Sequence, residues 1–588
     1  LPGRVVEMIN AQVRRHPRAP ALVAPDGSLD YAELDRRSAY LAGHLTRQGV
    51  RPGDVVLIQA SRGVALGVAL LAVLRSGGAF CVVDPQYPAD RIQHMWRRSH
   101  ARFALIESGL RAPDVPDGPA VLPLRQWATP GSAHRAPAPH RAEPGSEDPA
   151  YLVFTSGSTG GPKAVLMPHR CLDNLIEWTL ASTSSEPLRT LLFAPLGFDV
   201  FVQEVFTAWC SGGCLYTPSD AERVDLQCVW ELCREREIQR VFLPPVALRR
   251  LADLTVEFGI LPGALREVAV AGEALHITPA IRELFGRLPA ARLHNHYGPA
   301  ETHVAVAHTL TGPPRSWPDL PPIGRPLPGM TAQVVPRAEG GELWLTGVGL
   351  AHGYVHDPRQ TQERFRSILV EGRTVRAYRT GDLVRERTDG ALEYLGRADG
   401  QLKIRGYRVE PGDIEAALLR HPAVRECAVV AWTSLGSEER RLVAHVAAVP
   451  GGAPDAAELR AHVAGLLPDY MVPHHVVLAT ELPLSPNGKI DRRRLPPPGD
   501  ADDSAGTLPE PEPGDVRSAV ADIWSTVLGV ADIPPDRHFM DLGGTSLSAA
   551  LVVTRLHQRF QVQVSVQEFL YDPRVDAIAA LITERAAA

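Results

Sequence analysis

The stretch Tyr151–Val165, YLVFTSGSTGGPKAV, constrains this chain more than any other. It begins as an apolar, β-rich run, Tyr151–Phe154, and breaks into Thr155-Ser156-Gly157-Ser158-Thr159-Gly160-Gly161-Pro162-Lys163. A strand that ends in glycines, hydroxyls and a lysine can surround a phosphate. Glycine lets backbone N–H groups approach an anion, hydroxyls donate further bonds, and lysine adds a point charge. A flexible surface loop has the same composition, so the rest of the chain must decide between the two. The stretch is not a Walker A loop. Pro162 precedes Lys163 and Ala164 follows it, so the magnesium-binding hydroxyl is missing and a donor N–H is lost.

Upstream, short β-like runs alternate with helical ones. An amphipathic helix is expected to end near Pro17, strands at Ala21–Ala24, Val55–Gln59 and Phe80–Val83, and helices at Tyr31–Gln48 and Gly63–Arg75. This alternation predicts an α/β sheet. Residues 111–149, rich in Pro, Ala, Gly and His, read as a surface excursion with little regular structure. Further strands are expected at Gln239–Leu243 and Glu267–Val270. Gly341–Tyr354, GELWLTGVGLAHGY, reads as a structural hairpin with few groups able to do chemistry, and YRTGDL places Asp382 after a Thr-Gly turn. Residues 400–494 read as small α+β, with helices at Asp413–Arg420 and Ala456–Leu467 and strands at Val424–Trp432 and Leu442–Val449. Residues 495–515 form a Pro- and acid-rich linker. Helical periodicity at Val516–Leu528, Ser546–Phe560 and Val575–Arg585 predicts a small all-α bundle.

At 588 residues the chain is too long for one core, and length alone suggests roughly four units of about 150 residues. The net charge is −6 and the arginines are scattered among acids, so no basic stripe for nucleic acid appears. Seven cysteines form no C-x-x-C and no Cys/His zinc pattern, which predicts reduced thiols in a cytoplasmic protein. No apolar run reaches the roughly 18 residues of a membrane span, and residues 1–17 lack the apolar block of a signal peptide.

TSGSTGGPK resembles the signature loop of the adenylate-forming enzymes: acyl-CoA synthetases, luciferases and the adenylation domains of nonribosomal peptide synthetases. Ala164 stands where that family usually has Gly. Further stretches resemble the same family in the same order: LRSGGAFCVVDPQYP, NHYGPAE with Ala300 in place of Thr, GELWLTGVGLAHGY, YRTGDL, GRADGQLKIRGYRVEPGDIE and PNGKID. FMDLGGTSL, residues 539–547, resembles the peptidyl carrier domains, with Thr545 where Asp or His is usual. The resemblance covers nearly the whole chain. It implies a multidomain protein with a large α/β adenylation core over 1–398 and a small, mobile α+β subdomain over 399–494. A linker over 495–515 and an all-α, four-helix-type carrier domain over 516–588 follow.

The resemblance also implies roles. Thr155, Ser156, Gly157, Ser158, Thr159, Gly160 and Lys163 would hold ATP phosphates. Tyr297 would stack on the purine, Asp382 would accept bonds from the ribose, and Arg397 would contact phosphate or ribose. Glu301 would hold Mg²⁺. Lys489 would touch both the acyl carboxylate and the phosphate, Asp399 would be the hinge, and Lys403 would lie on a strand past it. Ser546 would carry 4′-phosphopantetheine, placed there by a phosphopantetheinyl transferase. Taken without the resemblance, Glu301 sits beside a Gly-Pro turn, Lys489 is a solvated loop lysine, and Asp199 and Ser546 are helix N-caps.

Asp199 follows Phe198 as in the peptide-synthetase domains, where it pairs with the α-amino group of an amino acid substrate. A buried ammonium needs such a partner. The pocket carried over from the family is Asp199, Val200, Gln203, Phe242, Ala269, Ala271, His296, Val304 and Ala305, with Lys489. It resembles that of proline-activating domains, and the small Ala269 and Ala305 leave room for a larger ring or a ring substituent. The expected substrate is therefore proline, pipecolate or a substituted proline. One alternative is an acyl-CoA synthetase-like ligase, against which Asp199 and the carrier region argue. Another is a degenerate nucleotide-binding docking module, against which intact Lys163, Glu301, Asp382 and Lys489 argue. Neighbouring condensation or tailoring domains are expected partners, and the sequence leaves open whether an MbtH-like activator is needed. Whether the chain is free-standing or part of a longer synthetase stays open at this stage.

Overall fold

The computed structural model describes residues 4–588 except 117, 125–143, 156–161, 338–339, 399–401, 405–406, 434–439, 450–453, 480–481, 484–491, 498–515, 529–532, 541, 543–548, 550–551, 554, 557–558, 561, 563, 565 and 587–588. The chain divides into two compact units. One comprises Leu1–Ser219, Trp230–Asp413 and Leu466–Tyr470; the other comprises Asp220–Val229, Ile414–Gly465 and Met471–Ala588.

The first unit is built around the helix Val64–Arg75, VALGVALLAVLR, in which every residue from Val64 to Leu74 is buried. A helix that is apolar all round has no face to give to water and must be covered on several sides. It packs against Pro20–Ala24 of one sheet and against Val55–Gln59 and Ala79–Val83 of another. Gly67 permits this approach, since a Cβ there would stand 2.9 Å from Leu22 Cδ2.

Among the described residues the first sheet has nine strands. Its strands Pro20–Ala24, Cys214–Tyr216, Arg189–Leu191, Arg240–Leu243, Glu267–Val270 and Arg292–Tyr297 run parallel. The predicted α/β sheet is therefore present. The carboxyl ends of its last three parallel strands lie side by side, which is where open α/β sheets bind ligands. The second sheet contains the antiparallel pair Pro149–Thr155 and Lys163–Pro168, with Thr155 opposite Lys163. Residues 156–161, which join these two strands, lie outside the described residues.

Two local expectations change. YRTGDL contains no chain-reversing turn: Arg373–Glu386 is one continuous strand. Gly381 takes φ +76° within it, and an irregularity falls between Leu383 and Val384. A bulged strand accommodates a glycine that a turn would also favour, so local composition does not separate the two. Gly341–Tyr354 is not a closed hairpin either. Gly341–Gly347 pairs with Met330–Pro336 and with Arg373–Glu386, whereas Gly353–Tyr354 crosses to the second sheet and pairs with Val165 and Leu166. Within 111–149, Ala120–Pro123 adds a strand beside Phe103–Ile106.

In the second unit Val424–Thr433 and Arg440–Ala448 pair antiparallel, and His475–Ala479 adds a parallel strand that the sequence pattern did not reveal. The helix Ala456–Ala464 starts with a capping box formed by Asp455 and Glu458. The helices Val516–Leu528, Val566–Tyr571 and Val575–Ala586 surround a core in which Trp524, Phe539 and Phe569 meet at centroid distances of 4.7–5.5 Å. The six-residue helix Val566–Tyr571 is too short to announce itself by periodicity. All seven cysteines are free. No helix among the described residues is long and apolar enough to cross a membrane.

Candidate active site

Three of the expected nucleotide residues meet. Asp382 is 2% exposed, and a carboxylate taken that far from water needs partners. Its Oδ2 accepts the Tyr297 hydroxyl at 2.5 Å and its Oδ1 accepts Arg397 Nη1 at 2.9 Å. Strand register makes this possible, because Asp382 and Arg397 are cross-strand partners and Tyr297 ends the strand Arg292–Tyr297. Arg397 Nη2 also donates to the Thr380 carbonyl at 3.2 Å, and the Asp382 N–H donates to Thr380 Oγ1 at 2.9 Å. Burial, and then the Asp382 carboxylate, push the Tyr297 phenol well above its ordinary value, so it remains a donor.

A second group joins Lys163, Tyr354 and Glu301. The Lys163 ammonium stands 5.6 Å from the Tyr354 ring centroid. The Tyr354 hydroxyl donates to Glu301 Oε1 at 2.6 Å. Glu301 is fully buried, and its carbonyl accepts from the Ala351 N–H at 2.9 Å. The turn that holds it requires glycine at 298, where a Cβ would fall 1.5 Å from the His303 carbonyl oxygen. Tyr354 was not among the expected site residues. It closes a motif whose polar groups looked few, and its role depends on the crossing between sheets.

The residues expected to line an amino acid pocket come from a helix and the sheet. Asp199 is the first residue of the helix Asp199–Cys210, with Phe198 in the cap position. Its Oδ1 accepts from the Val200 N–H at 2.9 Å, and a carboxylate in the first helical turn also suits the helix dipole. Asp199 is thus in the first turn, one residue beyond the cap that its position suggested. One turn on, Gln203 is buried and its Nε2 donates to Thr179 Oγ1 at 3.0 Å. Phe242, Ala269 and His294 are cross-strand neighbours in successive strands, and His296 lies two residues beyond His294 on the same face. The rings of His296 and Trp178 meet at 5.1 Å. Val304 and Ala305 are buried, and the Ala305 N–H donates to the Tyr297 carbonyl at 2.9 Å. Ala271 follows directly, its N–H donating to the Leu243 carbonyl at 3.3 Å.

Burial, assisted by His294 and His303, holds His296 well below the ordinary histidine value, so it is neutral near pH 7. Burial also lowers His303, against the pull of Asp199. His303 takes φ +54° and its Nδ1 lies 2.9 Å from the Tyr151 hydroxyl. Phe198 packs edge-on against Tyr407 at 4.8 Å, and Tyr407 stacks on Tyr470 at 3.9 Å. Trp178, Thr179 and Tyr470 carried no motif signal, because each meets its partner through a contact distant in sequence; Tyr407 lies within a resembling stretch but was not singled out.

Ser156, Gly157, Ser158, Thr159, Gly160, Asp399, Lys489 and Ser546 lie outside the described residues. Lys403 is on the strand Leu402–Ile404, its backbone paired with Arg408, and its side chain is likewise outside them.

Comparison with known proteins decides the family. An AMP-binding enzyme model matches residues 9–355, an AMP-binding enzyme C-terminal domain matches 413–489, and a phosphopantetheine attachment site matches 518–582. The chain belongs to the adenylate-forming AMP-binding enzymes. It is an adenylation unit of the nonribosomal peptide synthetase kind joined to a carrier domain, and its class is that of ATP-dependent ligases. Phosphinothricin tripeptide synthetase PhsC of Streptomyces viridochromogenes is 38% identical over 98% of the chain and 53% of that protein. Tyrocidine synthase 2 of Brevibacillus parabrevis is 35% identical over 98% of the chain and 16% of that protein. The chain thus spans about half or less of these relatives. The solved structure of holo-PA1221, an NRPS protein containing adenylation and PCP domains bound to a vinylsulfonamide inhibitor, matches with TM-score 0.80 and 28% identity. That match covers 99% of this chain and 96% of that one. These adenylation units use ATP with Mg²⁺, and the attached domain carries 4′-phosphopantetheine.

The described residues fit ATP. Thr155 Oγ1, at the mouth of the signature loop, is a buried hydroxyl with no partner among the described residues. Lys163 stands across the strand pair from it. The buried Glu301 offers the hard oxygen that Mg²⁺ prefers.

Proposed function

We propose that the chain activates a cyclic secondary amino acid with ATP and loads it as a thioester onto its own carrier domain. Proline is the first candidate, followed by pipecolate and substituted prolines. The observation that supports this substrate class is a pocket wall that, Asp199 apart, is without charge: buried neutral His296, buried Gln203, and small Ala269 and Ala305. Asp199 is the carboxylate available for the substrate's ammonium.

In the first half-reaction a carboxylate oxygen of the amino acid attacks the α-phosphorus of ATP in line. The bond from that phosphorus to the bridging oxygen breaks, and pyrophosphate leaves with the electron pair. No proton has to move, so positioning and neutralisation of charge supply the catalysis. Tyr297, Asp382 and Arg397 hold the nucleoside. Thr155, Ser156, Gly157, Ser158, Thr159, Gly160 and Lys163 take the departing phosphates. Lys489 offsets charge on the nucleophile and the α-phosphate, and Glu301 would hold Mg²⁺, which supplies further positive charge there. Rotation at Asp399 withdraws Lys489 and brings in the Lys403 strand. The thiol borne on Ser546 then displaces AMP to give the thioester. A phosphopantetheinyl transferase prepares Ser546, and an MbtH-like activator and neighbouring synthetase domains are proposed partners.

The test is amino-acid-dependent ATP–pyrophosphate exchange over all common amino acids, pipecolate and substituted prolines. The expected result is strongest exchange with the proline class. Preference for an acyclic amino acid would overturn the substrate assignment alone. No exchange with any amino acid, with an MbtH-like protein also supplied, would overturn the catalytic reading.

A further inference from the structure

The helix His169–Ser182 carried no expected site residue, yet it touches two positions of the pocket. Its Trp178 meets His296 ring to ring at 5.1 Å, and its Thr179 receives a hydrogen bond from Gln203 at 3.0 Å. Thr179 is fully buried and Gln203 nearly so. The Thr179 hydroxyl proton is already committed, because Oγ1 donates to the Leu175 carbonyl at 2.7 Å. A carbonyl cannot return a proton, so Thr179 Oγ1 has only its lone pairs left for Gln203. This fixes the Gln203 amide. Its N–H side must face Thr179, and its Oε1 must face away. Among the described residues no donor reaches that Oε1. That oxygen is not sealed off, so a ligand or water can reach it and supply the missing donor.

We propose that Thr179 is a positioning residue for substrate choice: it holds Gln203 so that the pocket offers a hydrogen-bond acceptor, which selects a ring carrying a hydroxyl over the bare ring. The inference rests on the cyclic amino acid reading and narrows it to a hydroxylated proline. A hydroxyl supplies the donor that Oε1 lacks, and the small Ala269 and Ala305 leave room for it. A site built to bond a substrate hydroxyl discriminates against the analogue lacking it more sharply than an apolar pocket resolves one methylene.

The experiment measures exchange kinetics with 4-hydroxyproline and proline for the wild type, Thr179→Val, Thr179→Ser, Gln203→Leu and the double variant Thr179→Val/Gln203→Leu. The wild type should favour 4-hydroxyproline in kcat/KM. Thr179→Val should lower the hydroxyproline-to-proline ratio about tenfold, as expected for one lost hydrogen bond, with the loss in KM rather than kcat. Thr179→Ser, which keeps the hydroxyl, should restore the ratio. The double variant should match Gln203→Leu, because Thr179 acts through that one amide. A ratio unchanged by Thr179→Val, or additive losses in the double variant, would overturn the role of Thr179 while leaving the cyclic substrate intact. Exchange that favours an acyclic amino acid would overturn both, and the single-substrate panel separates the two failures.

Discussion

The two halves of the proposed active site are held in opposite ways. Around Asp382, two charges and a phenol are locked together by short bonds, and the charged pair is almost wholly out of water. Around Gln203 and His296 the groups are neutral, one hydrogen bond fixes an amide, and much of the lining is alanine or valine. A buried ion pair is rigid because any misplacement leaves an uncompensated charge. A neutral wall of small side chains can be altered with far less penalty. The side proposed for the nucleotide is therefore suited to one ligand, whereas the side proposed for the amino acid can change its ligand without losing its frame.

The contrast is open to direct attack. Asp382→Ala should do the most damage, since it removes the carboxylate that both Arg397 and the Tyr297 hydroxyl bond. Loss of stability of about 3–5 kcal/mol is expected, read by thermal unfolding, together with loss of exchange for every amino acid. A variant that unfolds like the wild type would mean that the cluster is less rigid than argued. Ala269→Ile is the complementary change. It should lower kcat/KM for the cyclic substrate by an amount equivalent to about 1–3 kcal/mol with the KM for ATP little altered. A comparable rise in the KM for ATP would show that the two halves are not separable.

The smallest effect concerns the far end of the helix that bears Trp178 and Thr179. Asp173 accepts the Val5 N–H at 3.1 Å, and burial pushes its carboxyl above the ordinary aspartate value, to about 6. A raised carboxyl favours the folded state in its protonated form. That contribution is fully present below about pH 4 and is lost as the pH rises toward 6. Asp173→Asn keeps an oxygen for Val5 and removes the titration. The wild type should therefore lose about 1–3 kcal/mol between those pH values relative to the variant, measured as the pH dependence of the unfolding midpoint. Parallel profiles would show that Asp173 is solvated. A matching shift in substrate KM would show that the helix transmits charge to the pocket, contrary to its neutral character at Thr179.

Much of the fold was readable because its periodicities are local. The all-apolar run Val64–Leu74 had to be a central helix, and the strand pattern around Arg240–Leu243 and Glu267–Val270 had to be part of a buried sheet. The candidate residues Tyr297, Asp382 and Arg397 were readable from motifs, and strand register brings them together. Tyr354 was not, because it leaves the sheet that its own motif begins in and joins another. The sequence around Gly381 reads equally as a turn or a bulge, because glycine with positive φ serves both.

Sequence by itself determined the α/β alternation and the order of the adenylation and carrier motifs, and its resemblance to the family named the side chains expected to meet a phosphate, a ribose or an ammonium. The alternation and the motif order belong to residue type and to spacing along the chain. Tertiary structure alone decided that Tyr354 bonds Glu301, that Trp178 faces His296, and that Thr179 orients Gln203. Each of these depends on where a crossing strand or a packed helix ends in space. Thr179 has spent its own proton on Leu175 one turn earlier in its helix, and only the packing of a second helix turns that local bond into a constraint on the pocket.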